Sequence, residues 1–178
     1  MLRALAIVLT AGVALLLAVY GTGEPGVREV VRWTARSSLL LFCAALATEG
    51  RAVRLAGWPG RSQLLRGLAL SHGVHAVAVG ALAVLLEGRN LLERSSPVAI
   101  LGGALAYVFI FWGALRPDSR VTSIGLAWIW VVFMVSYGTR ALRLPMPFAF
   151  AVALLVAAML ARLSALLART PARAPQPS

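Results

Sequence analysis

Lysine is absent from this chain and acids are scarce: six stand against seventeen basic residues, every one an arginine. Charged residues make up 13% of the 178 positions, where a soluble domain has about a quarter. That shortage leaves a water-soluble fold without the surface it needs. A single cysteine, Cys43, excludes an intrachain disulfide, and its apolar surroundings suit a small buried side chain. No phosphate-cradling glycine loop, nucleophile elbow or metalloprotease helix occurs. Nucleotide hydrolysis, ester hydrolysis and zinc proteolysis therefore lack their residues. No internal repeat is present.

What the chain has instead is apolar length. It is 60% hydrophobic, with a mean hydropathy of +0.85, and the apolar residues fall in long runs parted by short arginine-bearing breaks. The pattern predicts an all-α, polytopic membrane protein, a bundle of six transmembrane helices forming one domain over residues 1–168. The expected spans are about Leu5–Tyr20, Val27–Thr48, Leu64–Leu86, Pro97–Leu115, Val121–Gly138 and Pro147–Leu167. The connections are too short for a second domain, and the proline-rich 169–178 reads as a flexible tail. The first span competes with a cleavable signal peptide, but "YGTGEPGVREV" offers no clear small-residue cleavage site, so a retained helix is expected. A pI near 11.7 would point to nucleic acid in a soluble protein. Here the arginines cap apolar segments, so the lipid bilayer is the expected partner and nucleic acid is not.

The second span is unusual. Its apolar part, Ser37–Thr48, is shorter than the roughly 20 residues a crossing needs, and extending it to Val27 brings in Arg28, Glu29, Arg32 and Arg36. The three arginines are four apart and share a helix face. They can snorkel to one interface, or present a basic stripe to an anionic group inside the bundle, with Arg36 the deepest. Counting arginines by side gives ten with the termini and seven opposite. That bias places both termini in the cytoplasm.

Both histidines, His72 and His75, lie in the third span. Counted from Leu64, they stand about 12 Å and 16 Å along the helix at about 1.5 Å per residue, near mid-membrane. Three residues apart, they can face one cleft. Ala69, Gly73, Ala76 and Gly80 form a smooth stripe beside them, suited to a close helix neighbour or to something flat. A structural reading makes each imidazole a hydrogen-bonding link to a neighbouring helix. A functional reading makes them ligands. Haem iron takes a histidine nitrogen and brings an apolar macrocycle, and the basic stripe could meet its propionates. Zinc lacks carboxylate or thiolate partners in a recognisable motif.

The order of "RWTARSSLLLFCAALA", "GRSQLLRGLALSHGVHA", "LGGALAYVFIFWGAL" and "SRVTSIGLAWIWVVFMVSYGTR" resembles the ferric reductase-like transmembrane domain superfamily. That superfamily includes haem-binding membrane subunits and the membrane core of NADPH oxidases. The similarity covers roughly residues 27–140. It implies a six-helix haem b protein of the bacterial inner membrane that passes electrons across the bilayer with a redox partner protein, with His72 or His75 at the third-span ligand position. Such proteins carry a matching histidine in the fifth span. Here that span has none, and Thr122 or Ser123 occupies the region. Met134 could supply a thioether instead or act as a core filler. Five-coordinate iron and loss of the cofactor are the other possibilities. The alternative function is a non-catalytic six-helix partner or scaffold protein with structural histidines. Transport has less support, because no paired broken helices occur.

Overall fold

The computed structural model describes residues 1–48, 60–86 and 97–168, and those residues are helical almost throughout. Six helices follow one another: α1 (Leu2–Tyr20), α2 (Glu24–Thr48), α3 (Arg61–Leu85), α4 (Pro97–Leu115), α5 (Arg120–Arg143) and α6 (Pro145–Leu167). No strand occurs among the described residues. Five of the helices are long and apolar enough to cross a membrane, and Ile100–Leu115 of α4 is a shorter apolar helix. The chain is thus an all-α bundle of six helices with the make-up of a multi-pass membrane protein. Arg51, Arg54, Arg89 and Arg94 lie outside the described residues, as does the proline-rich tail 169–178.

Local chemistry sets the helix ends. Gly21 takes a left-handed φ of 85°, which turns the chain from α1 towards α2 at little cost only for glycine. Gly26, in the first turn of α2, lies so close to the Gly21 carbonyl that a Cβ would overlap it. Glu24 opens α2 where the helix dipole favours an acid. Helix α5 is capped by Ser119, whose hydroxyl accepts from the Thr122 amide at 3.1 Å. It continues past Gly138 to Arg143 and stops at Leu144, whose extended backbone (φ −137°, ψ 80°) precedes Pro145. A residue before proline is driven out of the α region, and Pro145 then begins α6.

Helices α2, α3, α4, α5 and α6 close into a ring in which each packs on its two neighbours, while α1 lies outside against α2 and α3. Helix α1 buries only Leu9 and docks by placing Gly12 over the Trp33 ring. The α2–α3 seam is the most extensive. Thr34 pairs with His75 and Ser38 with Ser71, two steps of four in one antiparallel register. Trp128 of α5 donates to the Gly102 carbonyl of α4 at 3.3 Å, and Trp130 donates to the Leu155 carbonyl of α6 at 3.0 Å. The two tryptophans tie α5 to its neighbours on either side.

Packing differs between the two ends of the ring. In the half near the chain termini, Leu39, Phe42, Cys43 and Leu46 of α2 meet Leu65 and Leu68 of α3, Ile110 of α4, Leu126 and Ile129 of α5 and Leu155 of α6, all at most 5% exposed. In the opposite half, no residue of α5 from Trp130 to Leu144 and none of α4 from Ile100 to Leu105 is buried. The face of α2 that carries Leu39 and Cys43 reaches Arg32 and Arg36 about two turns earlier, and both are exposed.

Candidate functional site

At the boundary between the packed and open halves lie the two histidines, and the structure gives them different surroundings. Thr34 donates its hydroxyl hydrogen to the Val30 carbonyl at 2.8 Å, with the Val31 carbonyl at 3.1 Å. A hydroxyl has one hydrogen to give. Its oxygen therefore accepts from Nδ1–H of His75 at 3.0 Å. The His75 ring also has a hydrogen bond with the Val31 backbone. Thr34 is fully buried, and His75 is half-buried. One turn further in, Ser38 and Ser71 share a hydrogen bond of 2.9 Å at full burial, and Ser71 also lies 3.5 Å from the Thr34 carbonyl.

His72 is 6% exposed, and its Nδ1 is buried without a hydrogen-bond partner among the described residues. Rings surround it. Phe133 of α5 stacks on it at 5.9 Å, Tyr107 of α4 meets it edge-on at 5.2 Å, and His75 lies 6.0 Å away between centroids. Phe133 also contacts Phe42 at 5.1 Å and Tyr137 at 6.1 Å. The imidazole thus sits in an aromatic layer that spans the ring of helices.

The α5 residue opposite His72 is Phe133, not Thr122 or Ser123. Thr122 lies eleven residues before Phe133, about 16 Å along the helix. There it is committed to the α5 cap, donating to the Arg116 carbonyl at 2.6 Å. Ser123 offers its carbonyl to the buried Arg162 at 3.0 Å. Both positions serve the end of the bundle near the termini. Met134 is half-buried and packs against the apolar core.

Arg36 is exposed, as are Arg28 and Arg32. Arg28 pairs with Glu24 at 2.6 Å, and Arg32 pairs with Glu29. Arg36 and Arg140 of α5 both bear electrostatically on the Tyr137 hydroxyl. Arg140 also lies over the Phe148 ring of α6, 5.9 Å from its centroid. The stripe Ala69, Gly73, Ala76 and Gly80 does not open onto the histidines. Nothing lies within 4 Å of where a Cβ would stand on Gly73 or Gly80, and Ala76 and Gly80 are exposed. An open groove of about 500 Å³ runs there, lined by Ala69, Leu70, Gly73, Val74, Val77 and Phe111. The reason is angular: the α3 face towards the ring carries Leu65, Leu68 and His72, and the groove lies on the lipid side of them.

Thr34, Phe133, Tyr107 and Arg140 are site residues that sequence reasoning did not single out, whereas Tyr137 belongs to the fifth span's aromatic run with Trp128 and Trp130, which suits an interface or the central cleft. A signal existed for Thr34. The polar pairs 34/38 and 71/75, each four apart in adjacent apolar spans, are matched for antiparallel pairing. Among the described residues, no group of three or more His, Cys, Asp or Glu side chains could hold a metal ion. The class defined by fold and site is a helical bundle with the make-up of a multi-pass membrane protein, holding one buried and one half-buried imidazole beside an aromatic layer. No family model, curated protein or solved structure matches the chain.

Proposed function

We propose that this is a haem b protein of the bacterial inner membrane, resembling ferric reductase-like domains, with both termini cytoplasmic and electrons supplied by a redox partner protein. The observation that carries the reading is the bond between His75 Nδ1–H and the Thr34 hydroxyl. Metal-bound histidines usually donate their second ring nitrogen to an oxygen, which fixes the tautomer and raises ligand basicity. His75 meets that requirement on the α2–α3 seam. The fit is to one ligand. Phe133 stacks on His72, so in this reading His75 would be the residue that holds the iron, and Met134 packs against the core.

When bound, haem supplies a one-electron carrier. The chain's residues do the rest. Thr34 holds the His75 proton on Nδ1. The packed half near the termini excludes water from one side. Arg36, exposed on the stripe of α2, offers a cation to a propionate.

Purified protein, expressed with ample haem, is expected to show a Soret band that is lost in His75→Ala and kept in His72→Phe. A colourless preparation under those conditions overturns the reading. A second reading is then favoured by the same seam. Thr34–His75 and Ser38–Ser71 are both interhelical bonds, as a non-catalytic scaffold or partner protein with structural histidines would have.

A further inference from the structure

The arginines of α2 stand level with the apolar part of α3. In the register of Thr34–His75 and Ser38–Ser71, Arg36 is level with Gly73, Arg32 with Val77 and Arg28 with Ala81, within the apolar length of α3. All three arginines are exposed. A guanidinium at hydrocarbon depth is tolerated where it faces a bundle interior or a water-filled cavity. The face they occupy is the one that buries Leu39 and Cys43 lower down, so they look into the open half of the ring. Arg28 and Arg32 have glutamate partners. Among the described residues, Arg36 and Arg140 have no carboxylate partner.

The opposite wall is built to meet Arg36. Phe42 meets Phe133 across the ring and the two helices run antiparallel, so Arg36, six residues before Phe42, lies on the same side of that contact as Tyr137 and Arg140. Tyr137 is half-buried with its ring against Phe148 at 6.2 Å, and Arg140 is steered over the same Phe148 ring. Arg140 and Tyr137 thus share the Phe148 ring while Arg36 stands on the facing helix in the same half, a set of donors without a carboxylate partner among the described residues.

We infer that the half of the ring away from the chain termini is a hydrated vestibule, and that Arg36, Arg140 and the Tyr137 hydroxyl form a site in it for a carboxylate or phosphate group. No histidine belongs to this site, and it shares only Arg36 with the haem reading. Bidentate guanidinium pairing with such oxyanions supplies the recognition. The anion comes from solution, from a lipid headgroup or from a propionate arm, and the three sources are separable.

The test is thiol labelling of the full chain in phosphatidylcholine nanodiscs, with Cys43, 4% exposed, as the unreactive internal reference. Ala35→Cys puts a thiol on the face that carries Leu39 and Phe42, beside Arg36. Val77→Cys puts one at shallower depth on α3, where the residue is 75% exposed to the lipid side. A sulfonate-bearing methanethiosulfonate is expected to label Ala35→Cys about tenfold faster than its trimethylammonium counterpart, because a basic cleft concentrates anions, and to leave Val77→Cys unmodified. Arg36→Gln and Arg140→Gln should each abolish the preference, and Arg120→Gln, near the chain termini, should keep it. Inorganic pyrophosphate should slow the sulfonate reagent.

Slowing by added phosphatidylglycerol identifies a headgroup as the occupant. No slowing identifies a free anion. A preference missing only from a haem-coloured fraction identifies a propionate. Ser136→Cys, two turns beyond the buried Ile129 on α5, repeats the measurement from the other wall if Ala35→Cys does not fold. Absence of labelling at both positions removes the vestibule. Equal rates for the two reagents, unchanged by Arg36→Gln, remove the anion site.

Discussion

The Thr34 hydroxyl and Nδ1 of His75 are 3.0 Å apart across the α2–α3 seam. With its single hydrogen on the Val30 carbonyl, Thr34 acts as an acceptor towards Nδ1–H of His75. Thr34→Val keeps the side-chain shape and removes that acceptor. Interhelical hydrogen bonds in membrane proteins are worth about 0.6–2 kcal/mol, so the variant should lose about 1 kcal/mol of unfolding stability in detergent. Thr34→Ser should recover most of it. If His75 holds iron, Thr34→Val should also weaken haem retention by about 10–100-fold, the usual cost of losing such a support. Wild-type stability and retention in Thr34→Val would show that the bond does neither job.

His72 presents the reverse case. Its Nδ1 is buried without a partner, and its ring is held by Phe133 and Tyr107. A buried polar atom that makes no bond carries its desolvation cost unrepaid, about 1–3 kcal/mol. Replacement by an apolar ring should therefore be neutral or stabilising. His72→Phe is expected to unfold at or above the wild-type temperature, whereas His72→Ala should lose about 3 kcal/mol through the cavity it leaves. A loss above about 1 kcal/mol in His72→Phe, more than a volume-conserving swap usually costs, would reveal a bond to that nitrogen.

The difference between the two histidines could not be read from the sequence, although the helices around them could. The apolar runs give all six helices, because a membrane span demands an unbroken stretch of backbone-satisfied apolar residues. Where each imidazole points is settled by angles on α3 and by what the neighbouring helices present. Phe133 faces His72 because α5 runs parallel to α3 at that height, and no periodicity within α5 reports this. In the sequence the small-residue stripe suits either a close helix neighbour or a slot beside the histidines. On the wheel Gly73 lies about 100° from His72, enough to carry it from the interior to the lipid-facing groove. The arginine stripe was legible as a stripe, but its partner Arg140 was not, because pairing across the ring depends on the α2–α5 register.

Ser38 and Ser71 form the second link of the seam, and both are fully buried. Their 2.9 Å bond lets each satisfy the other where water does not reach. Removing one leaves its partner short of a bond, and removing both removes the need. Ser38→Ala and Ser71→Ala should each cost about 1 kcal/mol, and the double variant no more than the worse single one. In a double-mutant cycle the coupling should be at least about 0.5 kcal/mol. Strict additivity of the two losses would mean that the hydroxyls do not depend on one another.

Glycines of this chain divide into those that hold helices together and those that face open space, and the division is measurable. At Gly125 of α5, an added Cβ would stand 2.7–2.8 Å from Cβ, Cγ and Cδ1 of Phe109 on α4. These atoms lie at the root of the ring and cannot swing aside, so the two helices must part. Phe109 itself packs against the apolar core, so the displacement is passed into buried contacts. Gly125→Ala should cost about 1–3 kcal/mol, the usual penalty for overpacking. At Gly80 of α3 nothing lies within 4 Å, and a helical alanine is intrinsically better than glycine by about 1 kcal/mol. Gly80→Ala should therefore be neutral or stabilising when unfolding is followed by helix circular dichroism in the same detergent. A loss at Gly80 comparable to that at Gly125 would mean that the face of α3 carrying the small-residue stripe is packed against something in the folded protein, and the open groove beside it would have to be abandoned.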